Sequence, residues 1–335
     1  MNKKKIAVFL PLLAVLLFLV IIASRKQKTY HQDSGMVFGT VYNITYESED
    51  NLKEDIVKVL DDVDNSLSPF NEKSVITMVN KSKKIAPVDD MFCEVFEMAE
   101  AVSKDTEGAF DITVAPLVNL WGFGFKSGEM PTDAKVDSLL EIVGFGKVTL
   151  VGKQVMKADE RVMLDCSAIA KGYAVDAVAD MLRSKGVKNF LVEIGGEIVA
   201  SGVNKAQKEW RVGVTKPTDD SLNVNNELQT VLSFSDKAMA TSGNYRNYYY
   251  RDGKKYAHTI DPKTGRPIQH SLLSATVIAE NCATADAYAT SFMVMGMEKA
   301  QEVLKRHPEM QAYFIYADAE GKNKVWHSEG MKFQK

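Results

Sequence analysis

The chain has 335 residues, 25% of them charged and 45% apolar, an ordinary composition that excludes a disordered or fibrous protein. Its formal charge is −3, but the first 28 residues hold six of the 41 basic side chains and no acidic ones, leaving 35 against 44, or −9. A body that acidic excludes general nucleic-acid binding, so any phosphate it holds needs a local device such as a metal ion or a helix N-terminus.

Lys3, Lys4 and Lys5 precede an apolar run from Ile6 to Ala23, and Arg25, Lys26 and Lys28 follow it. The run has no polar face and approaches the roughly 20 residues that cross a bilayer. A basic start before an apolar core is also the form of an export signal. No small-x-small cleavage site precedes Arg25, which favours an uncleaved anchor. Positive charge at both ends leaves orientation open. His31 to Gly35 then reads as a linker.

Val37 to Tyr46, β-branched and aromatic around Gly39, reads as a strand. Leu52, Ile56, Val59, Leu60, Val63 and Leu67 have helical spacing, predicting a helix over Asn51–Ser66 that Ser68-Pro69 ends. A second helix is expected from about Asp90 to Lys104, closed by Glu107-Gly108. Phe110 to Gly128, rich in glycine and aromatics, reads as loop and short helix. Short strands follow at Val148–Leu150, Val155–Lys157 and Val162–Leu164, then a helix at Tyr173–Ser184 with Gly186 in the usual terminal position. Strands are predicted at Phe190–Ile194, Ile198–Ser201, Trp210–Val214, Val231–Phe234 and Ser274–Ala279. Asp252-Gly253 signals a hairpin between Tyr248–Tyr250 and Lys255–Ile260. Helices at Thr284–Met295 and Glu298–Arg306 and a hairpin turning at Glu320-Gly321 complete the chain. This mixture, with hairpins dominating the C-terminal half, favours α+β over a doubly wound sheet. Cys93, Cys166 and Cys282 fit no zinc spacing and read as small buried hydrophobes.

Four segments carry candidate chemistry. In Asp165-Cys166-Ser167-Ala168-Ile169-Ala170-Lys171 a strand runs into a small-residue loop that opens a helix. Free N–H groups and Lys171 suit an anion there, though a capped helix with a solvated lysine reads equally well. In Thr284-Ala285-Asp286-Ala287-Tyr288-Ala289-Thr290, Asp286 and Thr290 share a helix face. A carboxylate, a hydroxyl and a nearby carbonyl suit magnesium; an ordinary first-turn aspartate and packing threonine are the alternative. His258 stands before the Asp261–Pro267 turn, where it is either a proton acceptor or a structural histidine. Thr241 to Tyr250 is either a pocket wall for an aromatic ligand or an aromatic-rich strand.

In this order the segments resemble the ApbE family of FAD:protein FMN transferases. The matching stretches are Gly35–Thr40, Leu67–Asn71, Gly108–Val118, Asp165–Tyr173, Glu193–Glu197, Thr241–Arg246, His258–Pro267 and Thr284–Thr290. The resemblance implies an α+β, T-fold-like architecture of mixed antiparallel sheets with packed helices and a flavin site between two lobes. It implies FAD contacts at Met36, Phe70, Ala109, Phe110, Asp111, Asp165, Lys171 and Ile260, and a Mg²⁺ site at Ala168, Asp286, Ala289 and Thr290. Relatives often have threonine or serine at the Ala168 position and aspartate at Ala289; here those two ligands have to be backbone carbonyls. Phe70 is often tyrosine, so a hydroxyl contact is missing while ring stacking remains. Many relatives also carry a lipid-anchor cysteine, whereas no cysteine here precedes Cys93.

The implied reaction moves FMN from FAD, its substrate, to a threonine or serine hydroxyl of an acceptor flavoprotein and releases AMP, with His258 as base and Asp286 on the metal. The implied acceptors are subunits of membrane redox pumps. The implied location is the inner membrane, with the catalytic domain on the periplasmic side. The expected organisation is an anchor at 1–28, a linker at 29–35 and one transferase domain at 36–335. Two other readings use much the same residues: an FAD pyrophosphatase giving FMN and AMP, and a non-catalytic flavin-binding protein.

Overall fold

Phe38 and Gly39 both have positive φ, 51° and 72°. That is the two-residue turn whose twist suits a hairpin, and it folds β1 (Thr29–Val37) back along β2 (Thr40–Ser48). The computed structural model describes residues 28–124, 130–217, 227–244, 248–251 and 254–333. The apolar run expected to anchor the chain lies outside the described residues, and no helix among those described is long and apolar enough to cross a membrane.

His31–Gly35, expected as linker, is the middle of β1. This is an edge strand of mostly polar residues, so it lacks the apolar alternation that marks a strand in sequence. Asp33 accepts a 2.8 Å hydrogen bond from the buried Tyr46 hydroxyl, which in turn accepts from the Leu52 N–H at 2.7 Å. Among the described residues the first strand thus begins at Thr29.

After β2 come α1 (Lys53–Leu67), α2 (Val75–Lys81), β3 (Ile85–Pro87), α3 (Asp90–Asp105), α4 (Ala115–Leu120), α5 (Asp133–Leu140), β4 (Val148–Val151) and β5 (Gln154–Lys157). Then follow α6 (Ala170–Ser184), β6 (Phe190–Ile194), β7 (Glu197–Ser201), β8 (Trp210–Thr215), β9 (Leu228–Phe234) and β10 (Lys237–Gly243). The chain ends with β11 (Tyr248–Arg251), β12 (Lys254–Ala257), β13 (Ile260–Asp261), β14 (Arg266–Pro267), β15 (Leu272–Ala279), α7 (Cys282–Met295), α8 (Met297–Arg306), β16 (Gln311–Ala317) and β17 (Asn323–His327).

Eight strands form one sheet in the order β1-β2-β6-β7-β10-β15-β16-β17, with every neighbouring pair antiparallel. Helices α6 and α7 cover one face. The β8–β9 hairpin covers the other, where Trp210, Val212, Leu232 and Phe234 pack on Met239 and Ile278. With both faces covered, β15 is buried along most of its length. A three-stranded sheet, β3-β5-β4, stands apart from the large one.

Val162–Leu164, predicted as a strand, has no strand partner. Instead the Asn80 side-chain amide takes both roles of a neighbouring peptide. Its Nδ2 donates to the Leu164 carbonyl at 2.9 Å, and its Oδ1 accepts from the Leu164 N–H at 2.7 Å. Cys166 and Cys282 are buried, as expected, but Cys93 is partly exposed.

Helix α7 lacks an amphipathic stripe because nearly all of it is buried. Ala283, Ala285, Ala287 and Ala289 are fully buried and let β10, β15 and α6 approach closely. Its first turn is held from α6. The Asp176 carboxylate accepts from the N–H groups of Cys282 and Ala283, each at 2.8 Å, and Asn281 caps Thr284. Gly172 lies at this crossing, where a Cβ would overlap the backbone of Cys282 and Ala283. Gly172→Ala should therefore destabilise the fold by about 1–3 kcal/mol, the usual cost of overpacking. Thermal unfolding will show it, and an unchanged melting temperature would mean the helices separate freely there.

Candidate functional site

A cavity of about 530 Å³ opens between the helix-covered face of the large sheet and the loops around α1, α3 and α4. Its wall combines the apolar Phe38, Phe70, Phe110, Val118 and Ile260 with the polar Lys171, Glu197, Asp286 and Thr290.

Each part of the wall has a local cause. Ser68-Pro69 stops α1 and presents Phe70, which is 70% exposed. Past α3, Glu107 and Gly108 take positive φ and the Gly108 N–H returns to the Ser103 carbonyl at 2.7 Å, closing the helix and bringing Ala109 and Phe110 to the cavity. Asp111 follows, its Oδ1 accepting from the Thr113 N–H at 2.8 Å and the Thr113 hydroxyl at 2.6 Å. Burial pushes the Asp111 carboxyl up despite those bonds. The Asp165 N–H donates to the Ile112 carbonyl at 2.7 Å and ties the two loops together, while Asp165 Oδ1 accepts from the Ser167 N–H at 2.8 Å. The Asn80 clamp on Leu164 fixes the same loop from behind.

Helix α6 begins at Ala170 and projects Lys171 between two carboxylates. Lys171 Nζ is 2.6 Å from Glu197 Oε1 and 3.9 Å from Asp286 Oδ2, and each carboxylate side chain is only 3% exposed. Asp286 Oδ2 also accepts from the Gly172 N–H at 3.2 Å. Burial raises the Asp286 and Glu197 carboxyls, with Lys171 opposing. Burial pulls the Lys171 ammonium down, but the two carboxylates outweigh it and hold it above the usual lysine value. Fully ionised, the trio carries one net negative charge. Glu197 Oε2 is buried without a hydrogen-bond partner among the described residues.

Those features fit a hard divalent cation. Asp286 supplies a carboxylate, and Thr290 supplies a hydroxyl that is 3.0 Å from Ser242 Oγ. The first carbonyl used by the α6 ladder is that of Ile169, bonded by the Tyr173 N–H at 2.9 Å, which leaves the Ala168 carbonyl outside the ladder on the cavity wall.

Of the residues singled out in sequence, His258, Asp286, Thr290, Ala168, Lys171, Asp165, Asp111, Phe110, Ala109, Phe70 and Ile260 all line this cavity. Met36 and Ala289 are not on its wall. Met36, on β1, is 71% exposed. Ala289 is fully buried inside α7, where a carbonyl engaged in the helix keeps only its second lone pair to offer. His258 follows β12, with the Phe123 ring edge-on at 6.4 Å. Thr241, Ser242 and Gly243 line the cavity, while of the tyrosines after them Tyr249 joins a stack, Trp121 on Tyr256, Tyr256 on Tyr249 and Tyr249 on Phe123, at 5.8, 5.4 and 5.1 Å, and Tyr248 and Tyr250 meet edge to face.

Glu197 went unassigned in sequence. Its signal is a lone acid opening the apolar strand Ile198–Ala200 directly after two glycines.

The ApbE family profile matches residues 38–314. The FAD:protein FMN transferase of Vibrio cholerae serotype O1 is 40% identical over 280 residues, 81% of this chain and 83% of that one. The protein of the same description from Escherichia coli K12 is 35% identical over 96% of this chain and 95% of its own. The solved flavin transferase ApbE from Vibrio cholerae superposes with a TM-score of 0.81 at 36% identity, covering 90% of this chain and 98% of that one. The apo flavinyl transferase ApbE of Pseudomonas stutzeri also gives 0.81, at 31% identity and over 90% and 96%.

Proposed function

This chain belongs to the ApbE family, and from that premise we infer its reaction: it is an FAD:protein FMN transferase, taking FMN from FAD and attaching it to another protein. The carrying observation is a single cavity lined both by aromatic and apolar side chains and by the buried Lys171–Asp286–Glu197 cluster. The first suits an isoalloxazine ring and the second a pyrophosphate.

A threonine or serine hydroxyl of the acceptor attacks the flavin-side phosphorus of FAD. A new phosphoester P–O bond forms, the pyrophosphate P–O bond breaks, and AMP leaves with the bonding pair. The hydroxyl proton passes to His258. Lys171 brings a positive charge to the phosphates, while Phe70, Phe110 and Ile260 hold the ring system. Asp286, Thr290 and the Ala168 carbonyl would hold Mg²⁺, which when bound offsets the charge on the phosphoryl oxygens and on departing AMP.

Incubation with FAD, Mg²⁺ and candidate acceptors, followed by mass spectrometry for an FMN adduct, tests the reaction. Stoichiometric AMP release without any acceptor would make the protein an FAD pyrophosphatase instead. FAD retained unchanged beside Mg²⁺ and an acceptor would make it a flavin-binding protein.

For location, we place the body outside the cytoplasm, tethered to the inner membrane by Ile6–Ala23, with acceptors among the flavin-carrying subunits of membrane redox pumps. The basic-flanked apolar run supports the tether. A chain starting at Lys28 keeps β1 intact. It should leave the membrane fraction and transfer FMN at the rate of the full chain; a folded but inactive product would give the segment a catalytic role.

A further inference from the structure

One ammonium serves two buried carboxylates, and it serves them unequally. Lys171 Nζ makes a 2.6 Å ion pair with Glu197 and stops at 3.9 Å from Asp286. The backbone sets that inequality. Glu197 pairs with Ile194 across the two-residue turn Gly195-Gly196, whose φ values are 64° and 107°. A Cβ at Gly195 would come within 2.9 Å of the Thr40 side chain and 3.4 Å of Glu197 Oε2, so the turn packs directly behind the carboxylate. From the other side, the Gly172 N–H holds Asp286 Oδ2 at 3.2 Å. The two carboxylates are thus fixed by separate elements, and the flexible lysine stem decides which of them receives the charge.

Glu197 holds the closer pair. Its Oε2 has no hydrogen-bond partner among the described residues, so its carboxylate charge bears chiefly on Lys171. Coulomb attraction grows as the distance falls. If Glu197 were neutral, no opposing carboxylate would hold the ammonium back from Asp286.

We propose that Glu197 is a positioning residue that holds the Lys171 ammonium off Asp286, leaving the Asp286 carboxylate open to a divalent cation. The proposal rests on the reading of Asp286 as a cation ligand. A carboxylate closed by a direct hydrogen-bonded ion pair must break that pair before it can take a metal, and Glu197 keeps the ammonium at 3.9 Å from Asp286, beyond hydrogen-bond reach. Glu197 need not touch cation or substrate to do this.

The test is Mn²⁺ binding to the full chain in detergent, with no flavin present, read from the loss of the free Mn²⁺ signal in electron paramagnetic resonance. The parent should bind and Asp286→Asn should not. Glu197→Gln should weaken binding at least about tenfold at an unchanged melting temperature. The double variant Lys171→Met/Glu197→Gln, which has no ammonium left to restrain, should recover to within about threefold of the parent. If Glu197→Gln does not fold, Glu197→Asp, one methylene short of the ammonium, should show the same loss and the same recovery with Lys171→Met. Parental affinity in Glu197→Gln overturns the proposal while leaving Asp286 as ligand. A double variant as weak as the single overturns it too, because Glu197 would then be a ligand itself. A parent that binds no Mn²⁺ removes the cation reading and the proposal with it.

Discussion

Asp286→Ala should lower FMN transfer at limiting Mg²⁺ by at least about a hundredfold, the scale for losing a group that stabilises developing charge in a closed site. Asp286 is the carboxylate that α7 contributes to the cavity wall, and Thr290 one turn on is the only other α7 side-chain oxygen assigned there. The variant should still fold, because its loss does not strand a charge: Lys171 keeps its 2.6 Å partner in Glu197. Asp286→Asn is the sharper comparison. It preserves shape and can still accept from the Gly172 N–H, yet it removes the charge. Equal, large losses in both variants with unchanged melting temperatures locate the effect in the charge. Full turnover of Asp286→Ala at limiting Mg²⁺ would mean that the cation sits elsewhere.

His258→Ala should bind FAD as the parent does but lose transfer by roughly a hundred- to ten-thousandfold, the range for a missing general base. The residue is well placed for that role. It lines the cavity between the end of β12 and Ile260. Its backbone neighbour is held on both sides, Thr259 Oγ1 donating to Asn244 at 2.8 Å and the Ile268 N–H donating to the Thr259 carbonyl at 3.1 Å. Those bonds do not involve the imidazole, so they remain when the ring is removed. The residual rate should also rise less steeply between about pH 5 and 8, where an imidazole changes charge. If FAD affinity and thermal stability fall together instead, His258 shapes the turn. If neither binding nor rate changes, Asp165 becomes the next base to test.

Much of the architecture was legible because most of its elements bury one face. The spacing of Ile56, Leu60, Val63 and Leu67 predicted α1 to within two residues at its start and one at its end, and α3 starts at the expected Asp90 and ends one residue past Lys104. Asp286 and Thr290 could be paired from helix geometry alone, and they do share the cavity. What stayed hidden depends on partners far away in the chain. Edge strand β1 is too polar to alternate, and the short α2 and α5 offer few turns of periodicity. Val162–Leu164 looked like a strand because it is apolar and β-branched, but its ladder partner is one side chain from α2. The meeting of Lys171 with Glu197 and Asp286 comes from sheet order and the close α6–α7 crossing, which no local pattern in the sequence encodes. Met36 and Ala289 are placed by resemblance, as are Phe70, Ala109, Phe110, Asp111, Ala168 and Ile260, and of these only Met36 and Ala289 stand off the cavity wall.

The aromatic stack has an optical consequence. Trp121 is 5% exposed and its stack runs through Tyr256 and Tyr249 to Phe123 on the cavity wall. The other two tryptophans sit apart from it, Trp210 on the sheet-facing side of the β8–β9 hairpin and Trp326 stacked on Phe314 at the far edge of the sheet. Indole emission overlaps flavin absorption, so a flavin seated in the cavity takes excitation most readily from the indole nearest the wall. The fold therefore carries its own unlabelled fluorescence gauge of how full the cavity is.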